Sequence, residues 1–145
     1  MPDSKKEKLD YGELTPGYEF PAATYELRAR IIDQYTKAVG MPTDRGRLSE
    51  FVPPLAIGAY AMTAMGNAIS FPPGTIHASQ EFESYRMVPV GTVITCRTRV
   101  ERNISRGKMN MLVLVMKVFD QDERKVQSGK ATLILPAQDK NAQGY

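Results

Sequence analysis

Residues 53–70, PPLAIGAYAMTAMGNAIS, constrain the fold of this chain more than any other stretch. Two prolines open the run, at positions where the N–H groups they lack would have no intrahelical partner. The residues after them are small and apolar on every side at helical spacing, and such a helix has to be enclosed rather than laid on a surface. After the turn FPPG come four segments of strand character, 76–87, 92–103, 109–119 and 126–135. The economical solution is an antiparallel sheet of about five strands curled around one long buried helix, an α+β domain.

The flanking segments fit that frame. Residues 17–27 (GYEFPAATYEL) supply a first strand interrupted at Pro21, and 28–39 an amphipathic helix with Ile31, Ile32, Tyr35, Ala38 and Val39 on one face. Gly40 ends this helix with Pro42 just beyond, and 40–52 is a polar loop. In the strand 92–103, Ile94, Cys96, Thr98 and Val100 share one face while Arg97, Arg99 and Glu101 share the other. The run MNMLVLVMKVF (109–119) is predicted to be a central strand, buried on both faces with a neighbour on each side. ISRGK and DQDER make the hairpin turns. An open sheet edge invites pairing, so a dimer that continues the sheet is expected. One domain occupies 14–136, between a disordered tail at 1–13 and a polar tail at 137–145.

At 145 residues the chain can bury roughly two-thirds of its unfolded surface without covalent help. A single cysteine, Cys96, excludes an internal disulfide and a cysteine-based metal cluster, and with one histidine no metal or cofactor is expected. The setting implied is reducing and cytoplasmic. The opening MPDSKKEKLD has no apolar core, so no secretory signal is expected, and no apolar run reaches the roughly 20 residues that span a bilayer. Net charge is +3, with the charges interspersed and no basic recognition helix, so neither nucleic acid nor membrane is an expected partner.

Four segments carry a family resemblance: YGELTPGYEFPAATYEL, the VPP before the buried helix, IHASQEFESYRMVPVG and KVQSGKATLILP. Together they resemble the MaoC-like hotdog family, which includes (R)-specific enoyl-CoA hydratases and 3-hydroxyacyl thioester dehydratases. The resemblance covers Leu14 to Pro136 and is best marked at His77 to Gln80, Arg86 and Val90–Gly91. This part is similar to the non-catalytic N-terminal hotdog of double-hotdog hydratases and to the non-catalytic subunits of heterodimeric dehydratases. Catalytic members carry Gly-Asp-x-Asn-Pro-hydrophobic-His after the first helix, and the Asp and His hold the reacting water. Here the stretch is Gly40-Met41-Pro42-Thr43-Asp44-Arg45-Gly46. Met41 stands where the aspartate belongs and Arg45 or Gly46 where the histidine would fall, and neither methionine nor glycine can deprotonate water.

The resemblance implies an acyl-thioester ligand, coenzyme A or carrier-protein borne, and a homodimer, or a heterodimer or heterotetramer with a catalytic hotdog protein. It also implies a set of site residues. The N–H groups of Leu55 and Ala56, at the start of the buried helix, would cradle the thioester carbonyl. Arg86, Arg106 and Lys108, from a basic set that also holds Arg97, Arg99 and Arg102, would contact phosphates or an acidic carrier protein. Asp44 and His77 form the alternative, a relocated catalytic pair in an active homo-oligomeric hydratase; the resemblance gives His77 a structural position. A thioesterase carboxylate on the buried helix is excluded, because no acidic residue lies between Glu50 and Glu81. The methionines Met62, Met65, Met109, Met111 and Met116 could fill the core or line an adaptable acyl tunnel.

Overall fold

The structure, a computed structural model, describes residues 9–10, 14–42 and 44–136. In chain order the elements are β1 (Leu9–Asp10), β2 (Ala23–Glu26), α1 (Ala29–Ala38), a 3-10 turn (Gly46–Glu50), α2 (Pro54–Ala68), β3 (Ile69–Ser70), β4 (Ile76–Ser84), β5 (Val93–Arg106), β6 (Met109–Phe119) and β7 (Lys125–Pro136). Strands β2-β5-β6-β7-β4 form one five-stranded antiparallel sheet with α2 packed against one face. The expected α+β hotdog architecture is therefore present. The expectations for 1–13 and 137–145 lie outside the described residues, apart from Leu9–Asp10, which pair in parallel with β3.

Alternation builds the core. From β5 come Ile94, Cys96, Thr98 and Val100, from β6 Leu112, Leu114, Met116 and Val118, and from β7 Ala131, Leu133 and Leu135, all buried and facing α2. Each large aliphatic side chain so enclosed contributes about 1.5–3 kcal/mol. Strand β6 is central, with β5 and β7 as neighbours. Its outer face is less buried than the apolar sequence implies: Met109 and Lys117 are exposed and only Val113 is enclosed. The β5–β6 turn passes through Gly107 at φ 57°, a left-handed conformation that glycine adopts at no steric cost.

Helix α2 corrects one expectation. It is not enclosed all round: Ala56, Ile57, Gly58, Ala61, Ala64 and Met65 are buried, while Leu55, Ala59, Thr63 and Asn67 form an exposed stripe at intervals of one turn. Composition did not distinguish the sheet-facing side from this one because alanine occurs on both. The helix approaches the sheet closely at one place. A Cβ on Gly58 would lie 2.9 Å from the Phe82 ring, and a Cβ on Gly129 of β7 would lie 3.0 Å from the same ring. Phe82, on β4, therefore fills the gap between two positions where no side chain fits.

Strand β4 is one edge of the sheet, β2 the other. Strand β4 pairs with β7 alone, and a register shift between His77 and Ser79 bends it. The polar loop 40–52 gains a 3-10 turn, and the first strand shortens to Ala23–Glu26, with Glu19 bridging Arg99 ahead of it.

Candidate functional site

Met41 and Asp44, which the resemblance singled out, sit on the connection from α1 to α2. Met41 is half-buried, and its N–H donates to Thr36 O at 2.9 Å, which ties off the end of α1. Asp44 is exposed and accepts the Gly46 N–H at 3.2 Å, an Asx turn that opens the 3-10 turn. His77 lies elsewhere, exposed at the start of edge strand β4, with its Nε2 3.0 Å from Gln80 Oε1. Among the described residues no hydrogen bond or ion pair joins Asp44 to His77. Each is occupied with its own local turn or strand.

The start of α2 offers fewer donors than its position suggests. Pro54 has no N–H, and Ala56 gives its own to Pro53 O at 2.9 Å. Leu55 is left as the open donor, on a residue that is 63% exposed, whereas Ala56 is 2% exposed. Beneath this start lies a residue that the sequence pattern did not single out. Gln127, 1% exposed, donates from Nε2 to Pro54 O at 2.9 Å and to Ser84 Oγ at 3.1 Å, while its Oε1 has no partner. The available signal was a glutamine at an inward position of β7.

Between α1 and α2 runs a largely apolar groove of about 270 Å³, lined by Ile31, Ile32, Tyr35, Ala56, Ala59 and Tyr60 among others. It reaches Ala56, so the open Leu55 N–H stands near one end. Tyr60 packs its ring against Tyr25, centroids 4.9 Å apart. Burial raises the pKa of both phenols; at Tyr25 the nearby Cys96 and Tyr60 add to the rise and a hydrogen bond with Asn67 opposes it. The Tyr60 hydroxyl is buried without a partner. An unmade hydrogen bond of this kind costs about 1–3 kcal/mol. Tyr60→Phe is accordingly expected to raise stability by about 1 kcal/mol, read as a higher midpoint in urea at unchanged slope. Cys96 is 2% exposed, and burial pushes its thiol up to about 12, so it stays neutral.

The three expected phosphate contacts separate. Arg86 follows β4 and lines a cleft of about 380 Å³ with Thr92, Asp120, Gln121 and Arg124. Arg106 and Lys108 flank the β5–β6 turn at the other end of the sheet. In Arg86's cleft Asp120 organises the β6–β7 turn. Its Oδ1 accepts the N–H groups of Asp122 and Arg124 and its Oδ2 accepts Arg124 Nε, each at 2.9 Å. Burial alone would raise the Asp120 pKa, but these donors and the Arg124 charge hold it below the ordinary carboxylate value. No helix among the described residues is long and apolar enough to cross a membrane.

No family model and no curated protein matches the chain by sequence. Solved structures do match. The (R)-hydratase PhaJ1 of Pseudomonas aeruginosa superposes with TM-score 0.73 at 20% identity, over 88% of this chain and 86% of that one. A MaoC-like dehydratase from Rhodospirillum rubrum gives TM-score 0.71 at 16% identity, over 88% and 97%. The HadBC (3R)-hydroxyacyl-ACP dehydratase complex of Mycobacterium tuberculosis gives 0.65 at 13%, over 82% and 96%. At these identities the likeness is one of fold alone. The chain has the hotdog fold in the form taken by MaoC-like dehydratases and (R)-hydratases.

Proposed function

We propose that this protein is an acyl-thioester-binding hotdog subunit that assembles with a catalytic hotdog partner into a hydratase or dehydratase of the cytoplasm. The observation that carries this reading is that Asp44 and His77 are exposed and engaged in separate local bonds, and it is supported by the resemblance, which puts Met41 where catalytic members have an aspartate. The resemblance of the fold to a two-component dehydratase complex supports the partner. The α1–α2 groove would take the acyl chain, at about 0.8 kcal/mol per buried methylene, and the Leu55 N–H would face the thioester carbonyl. The partner's acid–base pair would then act on a substrate held in place, and orientation supplies much of the acceleration.

The alternative, an active homo-oligomer working through Asp44 and His77, has no shared contact to support it. One experiment separates the two. The purified chain is given trans-2-enoyl thioesters of increasing length, alone and mixed with MaoC-like catalytic proteins, and loss of the conjugated absorbance is followed. The expected result is no turnover alone and a gain in rate, substrate range or stability on mixing. Turnover by the chain alone that is abolished by Asp44→Asn or His77→Gln would establish the alternative instead.

A further inference from the structure

The face of the sheet away from α2 changes character along its length. Over its middle it is charged, with Arg97 opposite Lys117 and with Arg99 and Lys130 on either side of Val115. Toward the β5–β6 turn an apolar row replaces the charges. Ile104, Met111, Ile134 and Ile76 stand directly opposite one another across β5, β6, β7 and β4, and directly opposed residues project from the same face. Ile76 is 59% exposed, and Met109, next to this row, is 55% exposed. Ile104, Arg106, Met109, Met111 and Ile134 bound an apolar cleft of about 220 Å³ there.

The rim of this cleft is cationic. The segments 71–80, 102–112 and 131–136 contain Arg102, Arg106 and Lys108 and no aspartate or glutamate. None of the ion pairs among the described residues involves Arg102, Arg106 or Lys108. A concave apolar cleft receives a side chain, whereas insertion into a bilayer calls for protruding ones. Unpaired cations around it favour acidic neighbours by charge complementarity. Methionines let the cleft adapt to its anchor.

We propose that this end of the sheet docks an acidic protein segment through one apolar anchor side chain, and that the thioester arrives on a carrier protein rather than on coenzyme A. The proposal rests on the acyl-thioester reading of the α1–α2 groove. The start of α2 lies at the opposite end of the same sheet, beside Ser84 and Gln127. Two copies, or this chain and a partner, joined antiparallel through β4 would set the Ile76 end of one against the Ser84 end of the other. A carrier docked at the hairpin end would then serve the groove of the adjoining subunit.

The test compares octanoyl-acyl carrier protein, octanoyl-CoA and vesicles of phosphatidylcholine with phosphatidylglycerol, using protein labelled at its methionine methyls. The expected result is a salt-sensitive shift of the Met109 and Met111 signals with the carrier protein alone. Carrier affinity should fall about tenfold in Arg106→Glu and in Met109→Glu, with the Met109→Glu affinity for octanoyl-CoA within about twofold of the native value. Equal weakening toward both thioesters, unmoved methionine signals, or binding to vesicles in place of the carrier would each overturn the docking proposal. Binding of octanoyl-CoA without the carrier would sink this proposal and leave the thioester reading standing. Binding of neither thioester would sink both.

Discussion

Gly129→Val is expected to lower the free energy of unfolding by about 3 kcal/mol, the upper end of what overpacking a core position costs. The Cβ alone would lie 3.0 Å from the Phe82 ring and 3.1 Å from the Glu81 carbonyl oxygen, and valine adds two further methyls. The ring cannot retreat toward the helix, because the space on that side ends at Gly58, whose own added Cβ would lie 2.9 Å from it. Strand β4 has to lift away from β7, along the pairs Gln80–Ala131 and Phe82–Gly129. Denaturant midpoints measure the loss. The double variant Gly129→Val/Phe82→Ala separates mechanism from bulk. If the clash is the cause, Phe82→Ala costs less in the valine background than in the native one, with a coupling of about 1–3 kcal/mol. Additive losses would show that valine acts by another route.

Asp120→Ala is expected to cost about 2 kcal/mol at neutral pH, because the carboxylate holds two backbone N–H groups and one guanidinium N–H at once. The turn it closes is a demanding one, with Glu123 at φ 59° in the left-handed region. The pH dependence has a definite sign. The folded-state pKa of Asp120 lies below its unfolded value, so the folded state binds fewer protons across that interval. Its contribution is fully present above the unfolded pKa of about 3.9 and is lost as pH falls through the folded pKa. The gap in stability between native protein and Asp120→Ala should therefore be wide at pH 7 and narrow on acidification. Thermal midpoints of both proteins across that range check it; a gap that stays constant would assign the effect to the turn's shape rather than to the charge.

The layered plan was legible in sequence because two periodicities wrote it plainly. Inward Ile94, Cys96, Thr98 and Val100 alternate with outward Arg97 and Arg99, and the run opened by Pro53–Pro54 carries no charge through Ser70. Side-specific burial was less legible. Ala59 and Ala61 differ only in which way they face, and one is exposed while the other is 1% exposed. The 3-10 turn at 46–50 was not legible because Gly-Arg-Leu-Ser-Glu, opened by a left-handed glycine, carries no period. The candidate site was less legible: Asp44 and His77 stand out in the sequence as titratable residues, and only the structure shows them apart. Gln127 under α2, the orphan Tyr60 hydroxyl and the separation of Arg86 from Arg106 and Lys108 all depend on contacts between residues far apart in the chain. Local pattern does not encode such meetings.

The placement of β4 at the sheet edge also has a consequence for how the chain reaches this state. The meander β5–β6–β7 closes through short turns, with Arg106 paired to Met109 and Phe119 to Lys125. Strand β4 reaches β7 only across the whole of that meander, Ile76 to Ile134 and Ser84 to Gln127. Closing a long loop carries an entropy cost that its contacts repay only once they form. The three-stranded meander is thus expected to form first, with β4 joining after it as the Phe82 ring enters the space left by two glycines.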